Sequence, residues 1–334
     1  MNTLNRKWVI LGSIVVLAAL LIAPFLVKNF RVFQMNLVIV YAIAILGLNI
    51  LTGFNGQFSL GHGAFYAIGA YTAAILMDKT GMVYWATLPI AGVICLGFGW
   101  LIGFPALRLS GHYLALATFA LALSIPQLLK YNHLEALTGG VQGIVLSKPD
   151  APFSLMMFGQ RLNSDRWLYI VSLIVAVIMF WLAYNLLRGR VGRALIAIRD
   201  HPIAASAMGI NLTYFKSVTF GVSAAFTGVA GALGAVVVAF VAPDSFTVFL
   251  SISFLVGLVV GGLASIQGAI FGGIFIQFIP NIADEISRAA PWAIYGIFLI
   301  TFMYVMPTGV MGLLRKIWEK TGHKHVDSDA SEHP

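Results

Sequence analysis

Apolar residues run in blocks of membrane length along most of the chain, separated by short stretches where charge, proline or glycine collects. A helix needs about 20 residues to cross a bilayer core. A window of that size places ten spans, at residues 8–27, 36–52, 57–77, 84–103, 112–131, 167–187, 217–242, 246–265, 269–286 and 291–310. The pattern predicts an all-α polytopic integral membrane protein with about ten transmembrane helices, or eight to ten if the third is broken or re-entrant.

That third span departs from the others. Residues 49–74 read NILTGFNGQFSLGHGAFYAIGAYTAA, with five glycines from Gly53 to Gly69 around a polar run of Asn55, Gln57, Ser59 and His62. A glycine inside a helix costs about 1 kcal/mol against alanine. An amide or imidazole in hydrocarbon must find an internal partner. A broken or closely packed helix beside a polar path accounts for both features, and two readings stay open for the run: Asn55, Gln57, Ser59 and His62 line the path, or they tie helices together along with Asn49.

Two polar segments interrupt the spans. Residues 132–166 carry mixed charge, Pro149, Pro152 and a Thr138-Gly139-Gly140 turn, and their length of about 35 implies structure of their own. Residues 188–216 read RGRVGRALIAIRDHPIAASAMGINLTYFK and contain a small helix signal. Pro202 suits the first helical position, Asp200 lies near the positive helix start, and Gly209 suits a left-handed stop. About two turns are too few to persist alone, so this helix must pack on something. It either docks on its own loop or sits as a plug in a groove of a cytoplasmic partner.

Composition agrees with the pattern: 60% hydrophobic residues, 10% charged and a mean hydropathy of +0.92 exclude a soluble globule. The net charge of +8 and pI of about 9.6 would suggest nucleic acid in a soluble chain. Placement decides otherwise. With ten crossings and the N-terminus inside, the cytoplasmic side holds twelve basic and five acidic residues, the outside eight and seven, giving +7 against +1. This positive-inside bias predicts N-in/C-in topology, with 132–166 extracytoplasmic and 314–334 a polar cytoplasmic tail after a single domain at 1–313. Residues 8–27 lack a following small-residue cleavage site and are expected to stay as an anchor. The single cysteine, Cys95, lies within a span, forms no intrachain disulfide and reads as an apolar filler; no metal site is indicated.

The energy source is addressed by what is missing. No G-x-x-x-x-G-K-[ST] occurs, so the chain is expected to bind no nucleotide and to be no enzyme. No span has an internal Asp or Glu, which disfavours an ion-coupled secondary transporter without excluding one built on broken-helix carbonyls. Ser59 and His62, three apart, suggest a nucleophile and base, but a base normally comes from another element with oxyanion donors beside it. Glycines elsewhere predict close helix packing: Gly61 and Gly63, and the G-x-x-x-G pairs Gly99/Gly103, Gly257/Gly261 and Gly268/Gly272. SLGHGAFYAIGA at Ser59 and SIQGAIFGGIF at Ser265 hint at an internal repeat.

Four blocks in this order, residues 47–71, 193–233, 253–275 and 307–313 (PTGVMGL), resemble the permease subunits of bacterial ABC importers, and within them the branched-chain amino-acid permeases. The resemblance implies a multi-pass protein of the bacterial inner membrane that passes leucine, isoleucine or valine delivered by an extracytoplasmic binding protein. Urea, short amides or other amino acids are the alternatives. It implies a second permease subunit and two ATPase subunits, which bind the ATP and magnesium. It also implies that residues 193–211 are the coupling segment on the ATPase, with Arg193, Arg199, Asp200, Pro202, Ala204, Ala205 and Gly209 as its contacts. Related segments often place a carboxylate where this chain has Pro202 to Ser206, so recognition leans on Arg199, Asp200 and shape.

Overall fold

The computed structural model describes residues 19–106, 111–152, 156–157, 160–286 and 290–323. Residues 19–26 are helical; residues 8–18 of the first expected span lie outside the described residues. The long helices follow as α1 (Asn29–Asn49), α2 (His62–Thr80), α3 (Tyr84–Ala106), α4 (His112–Leu129) and, after the short α5 (Glu135–Thr138), α6 (Ser164–Arg188). Next come α7 (Arg190–Asp200), α8 (Pro202–Ala207), α9 (Leu212–Val238), α10 (Val248–Gly261), α11 (Gly268–Ile286), α12 (Pro291–Val305) and α13 (Gly309–His323).

Seven apolar stretches among the described residues are long enough to cross a membrane: Asn29–Phe54, Tyr84–Phe104, Ser164–Arg188, Leu212–Val238, Pro243–Gly261, Gly268–Ile286 and Ala293–Lys316. The pair Tyr113–Leu129 and Asn132–Thr138, bent by 62°, raises this to eight. The protein is therefore all-α and polytopic. Of the ten expected spans, two fall outside this set. The first lies mostly outside the described residues, and the third begins irregularly, at residues 57–61, before the single 19-residue helix α2, which is not among the stretches apolar enough to count. The last expected span, 291–310, is interrupted at Met306 to Thr308, and α13 runs past residue 313 into the expected tail.

Helix α9 is the axis of the bundle, with 83% of its most apolar window buried against 6% for Ala293–Lys316. Its small residues make this possible. A Cβ at Gly228 would stand 2.6 Å from Cys95 Cβ on α3, and one at Gly231 would meet the backbone of Tyr66 on α2. The three G-x-x-x-G pairs all pack within this chain: Gly99 and Gly103 against α9, and Gly257 with Gly261 against Gly272 and Gly268 across α10 and α11. Such approaches let backbones come within van der Waals reach where lipid gives no hydrophobic drive to associate.

The segment after α4 is structured. Strand β1 (Ile144–Val145) pairs antiparallel with a strand after α9, Phe240–Val241, and Met156–Met157 pairs with Gln160–Arg161. Lys130 and Asp244 form an ion pair at the same end, where Asn36 Nδ2 donates to the Asp165 carbonyl at 3.1 Å. Helices α7 and α8 lie at the other end, beside the start of α9.

Candidate functional site

Helix α1 does not end cleanly. It passes into a π-helical turn, Ile50–Phe54, and then into seven irregular residues before α2. A π turn widens the helix and leaves its last carbonyls without regular partners. Side chains and out-of-register bonds take their place: Gln57 N–H donates to the Leu51 carbonyl at 3.2 Å, and Thr52 Oγ1 donates to the Gln57 carbonyl at 3.0 Å.

Asn55, Gln57 and Ser59 lie within this break and His62 opens α2; all four are sealed, at most 6% exposed. Asn55 Nδ2 donates to Gln57 Oε1 at 2.8 Å, while Asn55 Oδ1 has no hydrogen-bond partner. His62 is bound on both nitrogens, 3.0 Å from Ser59 Oγ and 2.7 Å from Ser223 Oγ. The proton positions follow from the network. Ser223 donates its single hydroxyl proton to the Gly47 carbonyl at 2.6 Å, so it accepts from His62 Nε2–H. Nδ1 is then an acceptor for Ser59, whose oxygen accepts the Gly61 N–H at 3.3 Å. The imidazole is a neutral bridge from the break to α9 and α1. Ser59 and His62 each show only 1% of their surface, so their nucleophile-like geometry has no access to substrate.

Three partners come from distant helices. Thr118 Oγ1 on α4 accepts the Leu60 N–H at 2.9 Å, Ser251 Oγ on α10 accepts the Gly63 N–H at 2.8 Å, and Ser223 belongs to α9. Sequence reasoning did not single out Thr118 or Ser251. A lone Ser or Thr in an apolar helix usually bonds its own backbone, as Thr118 also does to Ala115 at 3.0 Å, so its type carries little signal. Gly61 and Gly63 are required by these contacts: a Cβ would fall 2.9 Å from the Thr118 carbonyl oxygen or 2.5 Å from Ser251 Oγ.

A second break, residues 262–267 between α10 and α11, lies against the first. Asn49 joins them, with Nδ2 donating to the Ser265 carbonyl at 2.7 Å and Oδ1 accepting the Ala264 N–H at 3.0 Å. An open cleft of about 1830 Å³ runs along this second break, lined by Phe54, Ser265, Gln267, Phe271, Thr308 and Arg315 among others. None of Asn55, Gln57, Ser59 and His62 lines it. Ser265 and Gln267 do; the sequence places them only at the boundary between the expected spans 246–265 and 269–286, and no local signal marks a cleft there. Among the described residues no cluster of three or more His, Cys, Asp or Glu is placed to hold a metal ion.

Residues 190–209 form two helices at the end of the bundle. Helix α7 buries Gly192, Ala194, Leu195 and Ile198, while Arg193 points to solvent. Helix α8 begins at Pro202, as a residue with a fixed φ and no N–H favours, and Gly209 takes φ +84° after it. Pro202, Ala204, Asp200 and Gly209 are exposed. Ala205 faces inward at 4% exposure, whereas Ile203 and Met208 stand out at 86% and 85%. Arg199 turns toward the bundle, its Nη1 donating to the Gly53 carbonyl at 3.0 Å and its Nε to Asp200 Oδ1 at 2.9 Å.

A family model described as "Branched-chain amino acid transport system / permease component" matches residues 31–306. The high-affinity branched-chain amino acid transport system permease protein LivM of Escherichia coli K12 is 35% identical over 332 residues, covering 94% of this chain and 77% of the relative. LivM of Salmonella typhimurium LT2 is 33% identical with the same coverage. The E. coli permease protein LivH is 28% identical, covering 81% of this chain and 91% of the relative. No solved structure matches the chain. With the family model spanning most of the sequence and the closely packed break at residues 50–61 inside it, this chain belongs to the family of permease components of branched-chain amino acid transport systems.

Proposed function

We propose that this chain is the LivM-like permease subunit of an ATP-driven importer that passes leucine, isoleucine and valine inward across the bacterial inner membrane. It works beside a second, LivH-like permease, two ATPase subunits and an extracytoplasmic binding protein, and it binds no cofactor itself; ATP and magnesium belong to the ATPases. The ten-span, N-in/C-in topology belongs to this reading, supported by the net charges of +7 and +1 on its two sides.

The observation that carries the proposal is the pairing of a sealed, polar, irregular connection between α1 and α2 inside the bundle with an apolar tip outside it. Irregular backbone sealed inside a bundle is costly, and membrane proteins retain it where solute passes or segments move. Ile203 on the short α8 and Met208 just after it, both exposed, fit a groove on a soluble partner. Of the coupling set, Pro202, Ala204, Ala205 and Gly209 lie on or beside α8, Arg199 and Asp200 end α7 before it, and Arg193 lies further back on α7.

The test is uptake by the four-component complex in proteoliposomes with the binding protein supplied outside. Radiolabelled leucine should accumulate only with ATP inside, and it should continue when ionophores collapse ion gradients. Uptake that stops with the ionophore and ignores ATP would establish an ion-coupled carrier instead. Preference for urea or a short amide over leucine would move the substrate assignment to those solutes.

A further inference from the structure

One residue connects the exposed tip to the end of α1. Arg199, next to last in α7, extends its guanidinium to the Gly53 carbonyl at 3.0 Å, in the π turn that ends α1. Its aliphatic stem lies on Gly56, where a Cβ would stand 2.9 Å from Arg199 Cγ and 3.4 Å from its Cβ. The side chain is 34% exposed, and Asp200 holds the guanidinium from the other side at 2.9 Å. A cation on the last carbonyls of a helix complements both their unmet hydrogen bonds and the negative end of the helix dipole.

From Gly53 the contact continues inward. Gly53 packs on Asn49 and Ala264 so closely that a Cβ there would stand 2.6 Å from Ala264 N. Asn49 then grips Ala264 and Ser265, and Ser265 lines the cleft. The chain of touching groups runs from α7 to Arg199, Gly53, Asn49 and the second break. Each link is a hydrogen bond or a backbone at contact distance, and the chain joins a π-helical turn to a non-helical segment.

We infer that Arg199 is a positioning residue that carries movement of the docking segment to the paired breaks, rather than a residue that recognises the ATPase. It acts through the Gly53 carbonyl, so the docking segment and the end of α1 move as one body. This inference rests on the proposed role as an ATP-driven permease.

The experiment measures leucine uptake and ATP hydrolysis together in the reconstituted complex. ATP-dependent uptake by the wild type tests the importer reading alone, and its absence would overturn that reading without touching the role of Arg199 in the fold. With the wild type active, Arg199→Gln should lower uptake per ATP by about tenfold, within the usual range of coupling between linked sites. Arg199→Lys, which keeps one charged donor, should recover part of the loss. A purely structural cap would lower uptake and hydrolysis together with assembly, leaving their ratio unchanged, and loss of the ATPase from the purified complex would make Arg199 a recognition residue; either result overturns the inference.

A second variant decides if Arg199→Gln assembles poorly. The 3.4 Å from a Gly56 Cβ to Arg199 Cβ lies just under the usual disulfide range of about 3.5–4.5 Å. In Gly56→Cys/Arg199→Cys the same sample is read oxidised and reduced, so strain at Gly56, whose φ is +72°, cancels. Oxidised, the covalent link should restore uptake per ATP to within about twofold of wild type, and reduction should uncouple it again by about tenfold. Oxidation that blocks uptake would mean that the two parts must slide past each other, and the inference would be wrong.

Discussion

Asn49 holds Ala264 in a conformation that alanine seldom adopts. Its Oδ1 accepts the Ala264 N–H at 3.0 Å, and Ala264 has φ +56°, in the left-handed region where a Cβ is strained by about 1–2 kcal/mol. The side chain of one helix thus sets the backbone of a break between two others, 215 residues away.

Removing that side chain should destabilise the bundle more than removing most buried amides. Asn49→Ala leaves the Ala264 N–H and the Ser265 carbonyl without their partner, at about 1–3 kcal/mol for each group left unsatisfied. Ala264→Gly should be neutral or stabilising, since relief of the left-handed strain offsets the added chain entropy. Ala264→Val should be destabilising, because a branched side chain tolerates positive φ least. Thermal melting of the detergent-solubilised complex measures all three. Equal melting points for the Gly and Val variants would show that the backbone at 264 is not constrained as described.

The His62 bridge makes a different prediction. Ser223 accepts from His62 and donates to Gly47, so Ser223→Ala strands an imidazole N–H and a carbonyl at once. His62→Gln and Ser223→Ala should each cost about 1–3 kcal/mol. The double variant should cost less than their sum by about 0.5 kcal/mol or more, the mark of residues in direct contact. Additive losses in a melting cycle would mean that the two side chains act separately. Uptake per assembled complex, read for the same variants, separates packing from path lining. A packing bridge loses uptake only as far as assembly falls.

The spans were legible because hydropathy responds to the bilayer itself, and the first break was legible because Gly61, Gly63 and His62 are expensive in a plain helix. The second break was legible only as the boundary between the expected spans 246–265 and 269–286; that Asn49, more than 200 residues earlier in the chain, grips it was not. The start and stop of α8 followed from Pro202 and Gly209, which act locally through their own backbones. Its facing did not, because two turns have no periodicity to read. Ala205, the smaller residue, packs inward against the loop where Ile210 N–H reaches the Ala205 carbonyl at 3.1 Å, and this turns Ile203 outward. Arg199 read, through the resemblance, as a contact for the ATPase, since only the fold brings Gly53 within its reach.

That facing predicts where the docking contact lies. Ile203→Asp and Met208→Asp change side chains that touch almost nothing in this chain, so the membrane bundle should remain intact and monodisperse. Each should weaken ATPase co-purification by about 1–3 kcal/mol, or about fivefold to 150-fold in affinity, as expected for apolar anchors at an interface centre. Ala205→Trp should instead overfill the inner side of the loop and disturb α8 itself. Normal ATPase recovery with both Asp variants would remove the tip from the interface.

Topology gives the most direct test of the functional frame, because docking and solute delivery require opposite sides. Ser147 follows β1 in the segment that pairs with Phe240–Val241, and Ser206 lies on α8; both are exposed. The native Cys95 is buried and gives little background to a thiol reagent. Cysteine at position 147 should therefore react with a membrane-impermeant maleimide in cells whose outer barrier alone is opened. Cysteine at 206 should react only after the inner membrane is permeabilised. The expectation follows from the net charges of +7 and +1, since basic residues near span ends resist translocation. Labelling of both positions from one side would put α8 and the 132–166 segment on the same face, leaving the ATPase and the binding protein without separate surfaces to meet.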